Sequence, residues 1–197
     1  MKKGSYISAI LRSRQTVFSA KDIRLLWGEA GTSAVRVRIN YYAKKGELRR
    51  VRRGLYAKDK NYDRLELATK IFTPSYVSFE TVLAKTGIVF QHYGQIFAAS
   101  YITRETVADH QNYSYKRIKD TMLTNNAGIE NQGNYSIASP ERAFLDVLYI
   151  YADYHFDNLA PLNWDKVYEI LPIYGGNQRM EKCVRKCHEM FKTGNNP

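Results

Sequence analysis

Four arginines, Arg49, Arg50, Arg52 and Arg53, occupy five positions around Val51 and are followed by Gly54. A guanidinium is a planar fork of donors that matches phosphate oxygens and base edges, so this density of forks suits a polyanion. Upstream, Arg36 and Asn40 are spaced one helical turn apart. Arginine fits the acceptor edge of guanine, and the asparagine amide fits the mixed edge of adenine. Thr32 and Ser33, with the backbone N–H groups beside them, can meet a phosphate at a helix start. Val37 offers methyl groups to a thymine methyl, and Tyr41 and Lys44 extend the same face. The chemistry on offer is recognition of a nucleic acid.

These residues have to be held on one surface, and the sequence supplies elements for that. Tyr6, Ile7, Ile10 and Leu11 repeat at helical spacing and predict a helix over residues 4–14, interrupted at Val17-Phe18. Ser19 and Asp22 form a Ser-x-x-Asp capping signature ahead of Ile23, Leu25, Leu26 and Trp27, ending at Gly28. Thr32-Ser33 is read as the cap of a third helix with an inward stripe of Val35, Ile39 and Tyr42, Ala43 beside it, and Gly46 at its end. That stripe turns Ser33, Val37, Asn40, Tyr41 and Lys44 outward, with Arg36 at the edge. Glu47 to Ala57 alternates apolar and basic residues about Arg53-Gly54 and reads as a β-hairpin with a basic tip. Leu48, Val51, Leu55 and Ala57 are expected to close the small core. Three helices and a hairpin in this order describe a winged helix-turn-helix over residues 1–60.

Charge supports the same division. Sixteen of the 30 Lys and Arg fall in residues 1–60 against 4 of the 19 Asp and Glu, leaving 14 and 15 for residues 61–197. The first segment is therefore net +12 and the remainder net −1, so the polyanion field is expected from residues 1–60 alone.

With 197 residues, 44% hydrophobic and 13% aromatic, the chain can build a second, larger core. Leu65, Leu67, Ala68 and Ile71 predict a connecting helix broken at Pro74. Tyr76-Val77 reads as a strand, and Ser78 as the cap of a helix reaching Gly87. Strands are expected over 95–103, 113–123 and 133–138, with a turn at Asn125-Asn126-Ala127-Gly128. Ser139-Pro140-Glu141 opens a helix that buries Ala143, Phe144, Val147, Leu148 and Tyr151. Helices near 164–171 and 179–192 and a loose tail at 193–197 complete the chain. The class is α+β: the winged helix-turn-helix, then a mixed α/β domain over 61–197 with a small, mostly antiparallel sheet covered by helices.

Bond-making chemistry finds little support. There is no Asp/Glu-x-Lys triplet of a metal nuclease, no phosphate-binding Gly-x-x-x-x-Gly-Lys and no Gly-x-Ser-x-Gly. His92, His110, His155 and His188 are scattered. Asp146, Asp153 and Asp157 near His155 read as solvated or capping groups, and Cys183 and Cys187 beside His188 as one face of a buried helix. No metal, cofactor or catalytic residue is assigned. The absence of a long apolar run argues against a membrane span and for a cytoplasmic protein. A second reading comes from Tyr113 and Tyr115, two apart on a strand with Lys116, Arg117 and Lys119 nearby: a stacking platform for single-stranded RNA.

The predicted winged helix, the Gly46-Glu47-Leu48-Arg49-Arg50-Val51-Arg52-Arg53-Gly54-Leu55-Tyr56 wing, the segment Tyr76-Val77-Ser78-Phe79-Glu80-Thr81-Val82-Leu83-Ala84 with Gly87 after it, and Ala138-Ser139-Pro140-Glu141-Arg142-Ala143-Phe144-Leu145-Asp146 together resemble the AbiEi family of abortive-infection antitoxins over residues 5–150. The resemblance implies a transcriptional autorepressor that binds inverted repeats of double-stranded DNA in its own promoter. It also implies an antitoxin for a nucleotidyltransferase-like toxin encoded next door, of the type IV kind in which the two proteins need not touch.

Overall fold

The computed structural model describes residues 5–194; Lys2, Lys3, the first position of the expected 4–14 helix and the tail residues 195–197 lie outside the described residues. The chain begins with α1 (Ser5–Arg12), β1 (Val17–Ser19), α2 (Ala20–Trp27), α3 (Thr32–Lys44), β2 (Arg49–Arg52) and β3 (Leu55–Ala57). The capping box of α2 is complete: Asp22 N–H donates to Ser19 Oγ at 3.1 Å, and Ser19 N–H to Asp22 Oδ2 at 2.8 Å. Gly28 ends the helix at φ 64°, a backbone angle that costs glycine little. The start of α3 differs from expectation. Gly31 is its N-cap, so Thr32 and Ser33 are its first helical residues rather than its cap.

The Val17-Phe18 interruption is a strand, and it completes an antiparallel sheet ordered β1-β3-β2. Alternation along the strands gives this sheet two buried faces. Phe18 lies opposite Tyr56, and both join Leu48 in a cluster with Tyr6, Ile10, Ile23, Trp27, Val35, Ile39 and Tyr42. Val17 lies opposite Ala57, and both join Val51 and Leu55 in the larger core formed with the rest of the chain. Only Leu48 of the four expected residues therefore closes the small core. Leu55 and Ala57 flank Tyr56 in sequence and so point away from it.

The second unit comprises α4 (Arg64–Ile71), β4 (Ser75–Val77), α5 (Glu80–Lys85), β5 (Gln95–Ser100), β6 (Arg104–Ala108), β7 (Gln111–Arg117), α6 (Asp120–Leu123), β8 (Ile129–Asn131), β9 (Ser136–Ala138), α7 (Pro140–Ile150), α8 (Trp164–Ile170), a 3-10 turn at Leu171–Tyr174 and α9 (Gln178–Lys192). Its sheet is ordered β6-β7-β5-β4-β9-β8, with β5–β7 and β4–β9 parallel and the other three pairings antiparallel. The fold is thus mixed α and β, with nine α-helices and two sheets among the described residues. The sheet exceeds the strands read from sequence because β6 (Arg-Glu-Thr-Val-Ala) and β8 (Ile-Glu-Asn) are edge strands, where polar residues meet water and mask the strand pattern. The expected 113–123 strand ends at Arg117 and gives way to α6.

Helix α7 starts as predicted, with Ser139 Oγ accepting from Arg142 N–H at 3.2 Å and Pro140 in the first turn. It is buried nearly all round, charged residues included. Arg142 donates from Nε to Asp146 Oδ1, from Nη1 to the carbonyls of Ala127 and Asn125, and from Nη2 to Met122 O and Tyr76 Oη. Asp146 also accepts from Ser78 Oγ at 2.7 Å, Tyr174 Oη at 2.7 Å and Tyr76 Oη at 3.0 Å. Ser78 is therefore a partner of this buried carboxylate and not the cap of α5, whose N-cap is Phe79 at φ 57°. Asp146, read from sequence as solvated or capping, is fully buried. A chain that buries two charges must bring donors and acceptors to both, and this one does.

Two substitutions probe this centre. Arg142→Met leaves Asp146 buried without its countercharge and should lower unfolding free energy by about 3–5 kcal/mol in urea denaturation. Gly128 has φ +70°, and a Cβ there would stand 2.7 Å from Ile170 Cδ1 and 2.8 Å from Arg142 Cβ. Gly128→Ala should cost about 1–3 kcal/mol through overpacking against the same network.

Candidate nucleic-acid interface

The inward stripe of α3 leaves its other side open. Thr32, Ser33, Arg36, Val37, Asn40, Tyr41 and Lys44 are all exposed, Val37 by 71% and Tyr41 by 41%. An exposed valine and tyrosine on a helix otherwise rich in cations make a face with both hydrogen-bonding forks and apolar contacts. Ser33, Ala34, Val37, Arg38 and Tyr41 line an open groove of about 750 Å³ with Tyr6 and Tyr42. Glu29 is neutralised beside it: Tyr6 Oη donates to it at 2.5 Å and Arg38 Nη1 at 2.8 Å, which hold its carboxyl below the usual range. Arg38 also lies 4.0 Å over the Tyr6 ring, so its charge is fastened in place.

Sequence reasoning missed two further cations at this face. Lys21 and Arg24 of α2 line a hollow of about 250 Å³ together with Thr32, Val35 and Arg36 at the start of α3. Their charge is visible in the sequence, but only the packing of α2 on α3 places it next to Arg36. Three cations beside the first turn of a helix make a seat for a phosphate.

The hairpin distributes its arginines differently from expectation. Residues opposite one another in a sheet share a face. Arg49 pairs with Ala57 and Arg52 with Leu55, whereas Arg50 pairs with Tyr56; the irregularity between Arg50 and Arg52 makes this possible. Arg49 and Arg52 consequently face the second unit. Arg49 Nη2 and Nε donate to Asp109 at 2.5 and 3.1 Å, and Tyr62 Oη donates to the same carboxylate at 3.0 Å. Asp109 and His110 form the β6–β7 turn at φ 47° and 64°, the positive angles that a two-residue hairpin turn requires. Arg52 lies 5.5 Å over the Phe72 ring. Arg50 and Arg53 remain exposed, Arg50 on the Tyr56 side and Arg53 in the turn. The four arginines are thus two structural and two open.

The tyrosine platform does not exist as a surface. Tyr113 and Tyr115 are 1% and 0% exposed, and stacking on a base needs a bare ring face. They lie on an interior strand beneath α4: Tyr115 Oη donates to Ala68 O at 2.7 Å, and the edge-on Phe72 ring is 4.8 Å away. Burial pushes both phenols well above their ordinary pKa. Lys116 lies on the other face, 6.0 Å over Tyr151.

The C-terminal cysteines pack against the larger core, and burial pushes the Cys187 thiol up to about 11, which removes thiolate reactivity at neutral pH. His188 stacks on Trp164 with ring centres 4.4 Å apart. Among the described residues no three His, Cys, Asp or Glu come close enough to hold a metal ion. No helix among them is long and apolar enough to cross a membrane. No protein-family model matches the chain, and no curated protein matches it.

The hairpin tether has a pH signature. The Arg49 guanidinium, with the Tyr62 hydroxyl, holds the Asp109 carboxyl below its usual range despite partial burial. A depressed folded pKa stabilises above the unfolded value of about 3.9 and loses that contribution as pH falls through the folded one. Arg49→Gln should therefore be less stable than the wild type at pH 7, and the gap should close as acid unfolding is followed below about pH 4.

Proposed function

We propose that residues 1–60 form a winged helix-turn-helix that reads duplex DNA, with α3 as the recognition helix and the β2–β3 hairpin as the wing. The observation that carries the reading is that all seven α3 residues able to contact bases or phosphates share the exposed side of a helix whose opposite stripe is buried. Arg36 and Asn40 supply the forks for guanine and adenine, and Val37 a methyl contact. Thr32 and Ser33, with Lys21 and Arg24 beside Arg36, hold a phosphate at the helix start. Arg50 and Arg53 enter the adjacent minor groove, where a narrow A·T-rich groove favours arginine.

The motif resemblance supports a more specific role: an autorepressor that binds inverted repeats in its own promoter and serves as antitoxin to an adjacent nucleotidyltransferase-like toxin, without direct contact being required. Its two C-terminal motifs are the ones that converge on the Arg142–Asp146 pair, through Tyr76 and Ser78 on one side and Ser139, Arg142 and Asp146 on the other. The residues carrying the resemblance thus organise the second unit, to which the antitoxin role belongs in this proposal. Restored growth on co-expression with the neighbouring toxin tests that half.

The DNA half is tested by anisotropy titration against the chain's own promoter and a random duplex. Arg36→Ala and Asn40→Ala should each cost about 1–3 kcal/mol at the promoter and much less on random DNA. Equal losses on both would reduce these residues to positioning. In the wing, Arg50→Ala with Arg53→Ala should lower the log–log salt slope by about 1.8 units on every duplex. An unchanged slope would remove the wing from the interface.

A further inference from the structure

The net charge of −1 over residues 61–197 conceals a local cluster of cations beside the hairpin tip. Strand register locates it. Arg104 of β6 lies opposite Tyr115 of β7, and Arg117 follows Tyr115 by two positions, so all three share one face of the large sheet. That is the face covered by Phe72, whose ring meets Tyr115 at 4.8 Å and over which Arg52 sits. Arg104 and Arg117 are exposed, and so is 43% of Tyr101, whose ring centre is 6.4 Å from that of Phe72. Glu105, the adjacent acid, pairs with Ser114 and points to the opposite face.

Two contacts fix how β2 runs along this sheet. Its first residue, Arg49, meets Asp109 in the β6–β7 turn. Its last, Arg52, meets Phe72, which packs on Tyr115 and Tyr101 toward the other end of the same strands. The hairpin tip with Arg53 therefore lies at the sheet end that carries Arg104 and Arg117. Arg52 Nη1 is buried with no acceptor among the described residues, a donor that an anion seated beside it would satisfy.

We infer that Arg104 and Arg117 extend the DNA-binding surface into the second unit, taking phosphates of the same duplex just beyond the point where the hairpin tip enters it. The inference rests on the proposed DNA-binding function and adds to it a longer footprint. The occupant is duplex DNA because the patch is continuous with the hairpin tip, and because the paired rings of a single-strand platform, Tyr113 and Tyr115, are buried, with Tyr101 the exposed ring beside the arginines. The surface has a simple function: it supplies affinity that does not depend on sequence and sets the angle of the protein on the duplex.

The test compares the full-length wild type with Arg104→Ala/Arg117→Ala on a fluorescein-labelled mixed-sequence duplex about three helical turns long. Losing two phosphate contacts should lower the log–log salt slope by about 1.8 units. Arg104→Lys/Arg117→Lys should restore most of it, and thermal melts of the three proteins should coincide because both side chains are exposed. A wild type that binds with a slope the alanine variant leaves unchanged overturns the inference and leaves the α3 interface standing. Loss of binding to single-stranded RNA with no change on duplex overturns it in favour of an RNA surface. A wild type that binds no duplex at all removes both readings.

Discussion

One buried ion pair holds the second unit together. Arg142 and Asp146 are a turn apart on α7 with no side-chain exposure. Two charges taken from water are costly, and a bare pair in the interior does not recover the loss. Here the surroundings do: the guanidinium spends its donors on three carbonyls of the 122–127 stretch, the Tyr76 hydroxyl and Asp146, and the carboxylate draws in Ser78, Tyr76 and Tyr174. Satisfying the pair fixes β4, the loop after α6 and the 3-10 turn around one helix. The large sheet and its helical cover depend on that arrangement, because a half-satisfied network would cost more than none.

The N-terminal unit is fastened to this body through its small sheet. Glu66 of α4 accepts from Thr16 N–H and Thr16 Oγ1 at 2.8 and 2.6 Å, and Lys70 meets Asp22 at 2.9 Å, so the capping residue of α2 also serves the junction. For Asp22, burial alone would raise the pKa, but Lys70 and the Ser19 N–H outweigh it and hold the carboxyl below its usual range. With Arg49 clamped on Asp109 and Arg52 on Phe72, the orientation of the hairpin is set by the second unit.

What could be read in the sequence was what is local. The capping box at Ser19 and Asp22, the Val35, Ile39 and Tyr42 stripe, and the Ser139-Pro140 helix start depend on neighbours within a turn or two, and each appears where its spacing puts it. Apart from the cap of α3, which falls on Gly31 and not on Thr32-Ser33, the main errors are nonlocal. Ser78 looks like a cap until Asp146 is placed beside it, 68 positions away. The four hairpin arginines look alike until Asp109 and Phe72 engage two of them. Tyr113 and Tyr115 have the spacing of a platform, but spacing does not say whether a strand is interior or at an edge. The antiparallel edge strands escaped because half-exposed residues carry no apolar signal.

The small sheet has a consequence for how the protein can change. A sheet with one solvated face lets its outer residues drift, but Val17, Leu55 and Ala57 are inside one core while Phe18 and Tyr56 are inside another. Val17 and Phe18 of β1 and all three residues of β3 are thus answerable to packing on one side or the other. Cutting the chain at residue 60 would strip the cover from both halves at once, so heat should melt them in a single cooperative transition. Exchanging the first 60 residues for a foreign segment would fail at this seam unless the new sheet kept the same two packing faces. The two units are thereby coupled in inheritance, and change reaches the exposed side of α3 by substitution more easily than by swapping modules.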